Sequence, residues 1–584
     1  MSELNINSEG HLTVRCPFDE KDKIKNIGGK WDKIFKCWIL PFTVGNIQYL
    51  LDNLNCTRVS TAVETRLQDQ IQREDKLGKI KKMAKTDKPV QFKITGIKLP
   101  LYNYQKLGVL FALTNPSGML LADDMGLGKT IQAIATACYK KYKEGIKKCL
   151  IITPASLKWN WPLEIEKFTD EKYVVIDGPS EERIRQWQRD DVFFYIVNYE
   201  LVLEDLFGGR EYRIDEENDD AFKIAQKMKL RKKAEVRAER LENIRNCVWD
   251  MIVIDEIHYM KSHTSKRSKN VKALKSRYRM ALTGTPMDGK LEELHSVMEF
   301  VQPGLFQCKT RFLQRHAVFD FWGKITSYKN INEVRERIQP FFLRRLKKDV
   351  MKELPDKIYQ NRYVLLSTDE IRTYKDIAKR GHSITEDVQA MVAVIRAKQF
   401  CDCPQLVDIH TKVNSKLEEF KNILRELVIE NGHKVIVFSQ YAKMCEILIK
   451  EIEAMSLKYL YIWGGTDQKR RVDMQEEFNK DPKIDIIIGT DAMSCGLNLT
   501  GADYVINYDD FWSPSIMAQR EDRSHRIGQK NVVTVINFIC RDTIEERIRD
   551  VLYNKSKVTA ETLGDNTEES ILRRLNPREL AQLL

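Results

Sequence analysis

Two series of short, continuous apolar runs constrain this chain most. The first comprises Gly118–Ala122, Cys149–Thr153, Phe193–Val197, Met251–Asp255 and Arg279–Thr283. The second comprises Lys434–Phe438, Tyr459–Trp463, Ile484–Ile488, Asp503–Asn507 and Val532–Phe538. Runs without polar alternation are those of strands buried on both faces, and strands that alternate with helical stretches build parallel sheets. The expectation is α/β: two parallel-sheet domains in tandem, over residues 97–300 and 411–553, separated by a largely helical insertion region, 301–410. The 584 residues supply several such cores.

Ahead of these domains, residues 1–56 read as a small α+β module. Leu12, Val14 and Cys16 alternate like a strand, a short helix runs to Asn26, and Trp31 and Trp38 lie on segments that can pair as a hairpin. Residues 57–96, with a Lys-rich run that ends at Lys88-Pro89, read as a charged linker. A charged insertion, 205–246, is acidic and then basic, and fits either a solvated surface helix or a DNA-facing arm. The tail 554–584 turns Leu-rich, as in an amphipathic helix docking on the body or on a partner. Cys401-Asp402-Cys403 with His410 matches no common zinc spacing and reads as a packing segment. The 12 cysteines, with no C-x-x-C pair, fit a reducing compartment. No apolar run is long enough for a membrane span, and the polar start MSELNINSEG carries no apolar signal segment. A soluble, intracellular protein is expected. The net charge of +12 permits a polyanionic partner without requiring one.

The chemistry concentrates in a few motifs. Asp123-Asp124-Met125-Gly126-Leu127-Gly128-Lys129-Thr130 lies between a strand and a helix. A glycine-rich turn there aims backbone N–H groups and the positive helix end at phosphates, Lys129 neutralises them, and the Thr130 hydroxyl suits Mg²⁺. Asp123 stands where the general pattern has its first glycine. Asp255-Glu256-Ile257-His258 ends a later apolar strand. Asp255 suits the second contact to Mg²⁺ and Glu256 suits activation of an attacking water. His258 either couples lobes or caps the loop. Arg520, Arg523 and Arg526 follow Gln519 at spacings of three, which on one helix share a face. Guanidinium forks stabilise charge on a transferring phosphoryl group.

Tyr104-Gln105-Lys106, the phosphate loop, Thr153-Pro154-Ala155-Ser156-Leu157, DEIH, LTGTP from Leu282, Val437-Phe438-Ser439-Gln440-Tyr441, Gly496-Leu497-Asn498 and the arginine segment follow the order of superfamily-two helicase motifs. Their wording, with Phe342-Leu343-Arg344-Arg345-Leu346-Lys347-Lys348-Asp349-Val350, resembles the Swi/Snf branch of DNA translocases over about residues 97–550. The resemblance implies two tandem RecA-like domains with ATP and Mg²⁺ between them. Gln105 would read the adenine, residues 123–130 with Gly496 and Gln519 would line the nucleotide, and Arg523 and Arg526 would reach across from the second lobe. Thr153, Ser156, Asn198, Ser439, Thr490 and Asn498 would face the DNA backbone. One departure is Met287-Asp288-Gly289, where the branch more often shows an asparagine.

The N-terminal unit, with Gly29-Lys30-Trp31-Asp32, Trp38 and Pro41, resembles the HARP module of annealing helicases. Lys30 and Lys36, with Lys25 and Lys33, are its candidate DNA contacts, while the tryptophans equally suit a small hydrophobic core. The implied function is an ATP-dependent double-stranded-DNA translocase that anneals strands or regresses forks in repair or replication. The alternatives are displacement of polymerase or nucleosomes from DNA, RNA or DNA unwinding as a DExH helicase, and a non-catalytic scaffold. Expected partners are double-stranded or forked DNA, with a single-stranded-DNA-binding protein or the replication or transcription machinery as further candidates. A monomer is expected. The compartment would be the cytoplasm or nucleoid for a bacterial, phage or viral protein and the nucleus for a eukaryotic one.

Overall fold

The computed structural model describes residues 2–549 except 8–10, 41, 43, 55, 84–89, 116, 209–227, 229–231, 233–235, 285–286, 288–289, 307, 324, 351–356, 383–386, 410–412, 495–496, 512–513, 527–528 and 530. The acidic part of the charged insertion, His410, Gly496 and the 554–584 tail therefore lie outside the described residues. Among those described, no helix is long and apolar enough to cross a membrane.

The N-terminal unit is a five-stranded sheet of β1 (Ser2–Ile6), β2 (Leu12–Arg15), β3 (Lys30–Asp32), β4 (Cys37–Leu40) and β5 (Cys56–Val59), in the order β3-β4-β2-β1-β5. β3 and β4 form the expected hairpin, with Trp31 opposite Trp38. Trp38 joins Leu4, Leu12, Val14, Ile24 and Leu40 in the core, whereas Trp31 stays 50% exposed. The unit does not stop at residue 56. β5 pairs parallel with β1, and the stretch expected to be a linker is the helix Thr61–Met83. Its Val63 enters the core of the N-terminal sheet, while Leu77 enters that of the next domain. A Lys-rich surface hid a sparse apolar seam. Lysine is a good helix former, so charge did not argue against helix here.

The first lobe is built on β6 (Gly118–Leu121), β7 (Cys149–Thr153), β8 (Tyr173–Val175), β9 (Phe194–Asn198), β10 (Val248–Ile254) and β11 (Lys275–Leu282). A two-stranded hairpin, β12 (Ala317–Phe319) and β13 (Ile325–Tyr328), interrupts the helical region that follows. β14 (Phe342–Leu343) then returns to complete an all-parallel sheet in the order β14-β6-β11-β10-β7-β9-β8. The second sheet takes β15 (Lys357–Val364), β16 (Val435–Phe438), β17 (Tyr459–Ile462), β18 (Ile486–Gly489), β19 (Tyr504–Asn507) and β20 (Val533–Cys540), in the order β15-β20-β19-β16-β18-β17. It too is parallel throughout. The two RecA-like domains with parallel sheets thus stand as expected.

Residues 301–410 are not a helical insertion between finished domains, because β14 is an edge strand of the first sheet and β15 an edge strand of the second. β15 is exposed over most of its length (Tyr359 58%, Tyr363 49%) and lacks the apolar continuity that marked the central strands. Cys401 and Asp402 are packed inside the second lobe, where the Asp402 carboxylate accepts from buried Lys416 at 2.9 Å. In the charged insertion, the described Arg237 is buried against Asp205 and Glu204, and Arg240 pairs with Glu181. These two cations are therefore engaged within the lobe.

Candidate functional site

The phosphate loop leaves β6 and turns into the helix Lys129–Glu144. Two glycines make this turn. Gly126 and Gly128 have φ of 85° and 72°, a region that residues with a Cβ rarely adopt. A Cβ on Gly128 would also lie 2.5 Å from Gln105 Nε2, and one on Gly126 would lie 3.2 Å from Arg526 Cγ. Gln105 sits in the first turn of the helix Asn103–Thr114, where its Oε1 accepts from the Tyr102 amide at 3.0 Å and its Nε2 donates to the Leu127 carbonyl at 3.3 Å. It holds the loop from behind. Lys129 folds back on the loop, donating to the carbonyls of Asp123 at 2.8 Å and Asp124 at 3.3 Å. Burial pulls its ammonium pKa down, against the attraction of Glu256, Asp123, Asp255 and Asp124. Thr130 follows it, half-buried, in the first turn of the same helix.

The side chain of Asp123, at the start of the loop, is engaged inside the lobe. Its fully buried carboxylate faces Arg345, which donates Nε–H at 2.9 Å, and it also accepts from Gln132 Nε2 at 3.1 Å. Arg345 further donates to Gln132 Oε1 at 2.7 Å and to the Tyr104 carbonyl. One guanidinium thus ties β14, the phosphate loop and the Asn103–Thr114 helix together. Asp124 is tied likewise: its Oδ2 accepts from the Lys347 amide at 2.9 Å, although burial still raises its pKa. Arg345 and Lys347 belong to the Phe342–Val350 stretch, and neither has a role legible from sequence alone. An arginine pair at the end of an apolar dipeptide was the available signal.

Asp255 and Glu256 leave the end of β10 beside the loop. Asp255 Oδ2 accepts from Trp161 Nε1 at 3.0 Å and from Thr153 Oγ1 at 3.2 Å, and Oδ1 accepts from the Glu256 amide at 3.0 Å. Burial, with the Glu256 charge beside it, pushes the Asp255 pKa up to about 6. The donor set fits Mg²⁺: a hydroxyl at Thr130 and a buried carboxylate at Asp255 are hard oxygen ligands, and that raised pKa marks negative charge a cation would relieve. Glu256 adopts φ 48°, a left-handed conformation that costs a non-glycine residue ~1–3 kcal/mol and recurs at functional sites. Burial would raise its pKa, but His258, at 3.1 Å, with Lys129 and Arg523, lowers it on balance. His258 also lies 3.4 Å from Thr283 Oγ1 of the LTGTP motif. It thereby connects two motifs of the first lobe.

From the second lobe, Arg523 and Arg526 lie against the loop, but not on one helix with Arg520. That helix, Pro514–Glu521, ends before them. Arg520 is fully buried and pairs with Asp491 at 2.7 Å. Arg523 Nη2 reaches Met125 Sδ at 3.8 Å, and both Arg523 Nη1 and Arg526 Nη1 donate to the Leu497 carbonyl, at 3.1 and 3.3 Å. Burial, then repulsion from Arg523, pushes Arg526 down to about 10. Lys347 closes the contact between the lobes, pairing with Asp522 at 2.8 Å and donating to the His525 carbonyl at 2.6 Å. Gln519 is buried in the Pro514–Glu521 helix, its carbonyl accepting from Arg523 Nε at 3.0 Å.

The residues expected on the DNA side divide. Thr153 and Ser439 are fully buried, the first donating to Asp255 and the second to Asp509. Neither side chain reaches solvent. Both sit at the ends of central parallel strands, where a hydroxyl turned inward satisfies a buried carboxylate. Asn198 is buried and donates to Glu200 at 2.9 Å. Ser156, Thr490 and Asn498 are half-buried, and Lys30 and Lys36 are exposed on the N-terminal hairpin.

The match to known families agrees with this layout. The SNF2-related domain covers residues 78–435, and the helicase conserved C-terminal domain covers 415–528. The chain belongs to the SNF2-related family. Among the relatives of this SNF2-related chain is the uncharacterized ATP-dependent helicase of Mycoplasma pneumoniae, 30% identical over 501 residues, which are 82% of this chain and 44% of that protein. The putative ATP-dependent helicase/translocase YwqA of Bacillus subtilis is 29% identical over 529 residues, 86% of this chain and 53% of that one. The ISWI chromatin-remodeling complex ATPase ISW1 of Saccharomyces cerevisiae is 29% identical over 499 residues, 79% and 40%. The SNF2-related chain thus spans about half, or less, of these relatives' lengths.

Proposed function

We propose that this chain hydrolyses ATP with Mg²⁺ and uses the cycle to translocate on double-stranded DNA, reannealing strands or regressing forks. The observation that carries the reading is the pair Arg523 and Arg526 of one lobe lying against Met125 and Gly126 of the other. Buried Arg523 and half-buried Arg526 repel each other, and a triphosphate placed between them and Lys129 would relieve that repulsion. The loop amides and Lys129, released from the Asp123 and Asp124 carbonyls, would hold the β- and γ-phosphates. Glu256, positioned by His258, would orient the attacking water and take its proton. Arg523 and Arg526 would stabilise charge on the transferring phosphoryl group. Thr130 and Asp255 would hold Mg²⁺, which neutralises phosphate charge when bound. Because Arg523 and Arg526 belong to the second lobe, phosphate binding and release would close and open the cleft, which is the motion a translocase needs.

The annealing role rests on the N-terminal unit, where Lys30, Lys36 and half-exposed Trp31 share one hairpin suited to a nucleic-acid surface. Displacement of proteins from DNA is the second reading, favoured by relatives named as chromatin-remodelling ATPases. ATP turnover with and without duplex DNA, beside strand-annealing, fork-regression and protein-displacement assays, decides among them. Duplex-stimulated turnover that vanishes in Lys129→Ala is expected. Turnover surviving that change, or stimulated more by RNA than by duplex DNA, overturns the proposal.

A further inference from the structure

The β12–β13 hairpin carries two adjacent aromatic side chains almost wholly in solvent: Phe321 is 93% exposed and Trp322 86%. The base of the hairpin is, by contrast, built in. Ala317 and Ile325 are buried, and the Lys329 amide donates to the His316 carbonyl at 2.9 Å. Tyr328 OH donates to Glu292 at 3.0 Å. The flanking helices Lys309–His316 and Ile331–Ile338 insert Phe312, Val334 and Ile338 into the first lobe's core. The tip is shaped as well. The Trp322 amide donates to Asp320 Oδ1 at 3.0 Å, the Gly323 amide donates to the Asp320 carbonyl at 3.0 Å, and Gly323 turns the chain at φ 77°. The two rings meet edge to face, centroids 5.4 Å apart, which leaves ring faces open to solvent.

A rigid stalk that displays a phenyl and an indole group has no role in packing. Exposed rings of this kind present π-faces to a planar partner. The charge along this stretch identifies that partner: Lys309, Arg311 and Lys329 stand on the hairpin and its leading helix, Arg315 is paired with Glu333 at 2.7 Å, and Asp320 is the single carboxylate of the sequence 309–329. Lys309, Arg311 and Lys329 are exposed. Aromatic faces within a cationic surround are the elements of a single-strand site, where bases stack on rings while cations follow the phosphates. Bases inside a duplex are already stacked and offer no face to a side chain, so the partner is an unpaired strand.

We infer that the β12–β13 tip is a base-stacking pin: Phe321 and Trp322 engage unpaired nucleobases where a duplex opens, such as a fork or bubble. This rests on the DNA-translocase reading and adds to it a second place, on the first lobe, that senses single-stranded DNA.

The test uses the full chain, with Phe321→Ala/Trp322→Ala and, as the conservative control, Phe321→Tyr/Trp322→Phe. Fluorescence anisotropy measures binding to a mixed-sequence single-stranded oligonucleotide, to a fork with two unpaired arms and to a blunt duplex. Thermal unfolding checks that each variant is folded. The alanine pair is expected to weaken single-strand and fork binding ~10- to 100-fold. Blunt-duplex affinity and duplex-stimulated ATP turnover stay at the parent level, and the aromatic control retains most of the affinity. Unchanged single-strand and fork affinity in the alanine pair overturns the pin. So does a parent dimer, seen by sedimentation, that the alanine pair dissolves, since the rings would then serve a second copy of the chain. Parent turnover without duplex stimulation would overturn the translocase reading alone, because the single-strand arm judges the pin separately.

Discussion

Removing the Arg345 side chain as Arg345→Met tests whether the acidic start of the phosphate loop serves the fold or the nucleotide. In the structure the Asp123 carboxylate is fully buried, and Arg345 is its cation. Stripping one partner from a buried ion pair costs ~3–5 kcal/mol, because the remaining charge has no water to return to. Gln132 Oε1 and the Tyr104 carbonyl lose a donor as well, which adds to that figure. For a lobe-sized unit this corresponds to a fall in Tm on the order of 10 °C. Asp123→Leu alone strands the guanidinium and is expected to do comparable harm. The double variant Asp123→Leu/Arg345→Met removes both charges and is expected to regain more than half the loss, with a coupling of about 2 kcal/mol or more in a double-mutant cycle. Calorimetry on the four proteins gives that number, and titration with a fluorescent ATP analogue shows whether the double variant still binds nucleotide. Binding near the parent level is expected. A Tm loss under ~2 °C for Arg345→Met, or additive single variants, would refute the reasoning.

Glu256→Gln is expected to keep nucleotide affinity while turnover falls ~10²- to 10⁴-fold, which steady-state turnover beside equilibrium binding would show. Ser439→Ala removes a hydrogen bond to the buried Asp509 carboxylate; a stability loss of ~1–3 kcal/mol with an unchanged salt dependence of DNA binding is expected from denaturation and anisotropy titrations. Glu299 accepts from His263 and pairs with Lys272, and these partners hold its pKa down to about 2. A depressed carboxylate stabilises the fold fully above its unfolded pKa of ~4.3, and that contribution disappears as pH falls toward 2. Glu299→Gln should therefore lower Tm at pH 7 and converge with the parent near pH 2–3, with a pH-independent difference as the contrary result.

The central strands of both sheets were legible because burial on two faces writes itself as consecutive apolar residues, as in Met251–Ile254 running into Asp255. The phosphate loop was legible for a similar local reason, since its glycines, Lys129 and Thr130 act as neighbours in sequence. Edge strands were not. β14 is two residues long and β15 is mostly exposed, so neither carries a run that periodicity can detect. The helix Thr61–Met83 was missed because its apolar positions are few and belong to two different cores.

What the sequence by itself determined is the α/β class, the two tandem sheets and the group of residues gathered around the loop. The tertiary structure decided which way each polar side chain faces. Asp123 and Arg345 lie 222 residues apart and meet inside the first lobe. Ser439 and Asp509 lie 70 apart and meet inside the second, and the Thr153 hydroxyl turns inward to Asp255. A motif records residue types at fixed spacing, whereas a buried polar group must find its partner wherever the chain has folded it, so partner choice is settled only when the distant strands and loops are assembled.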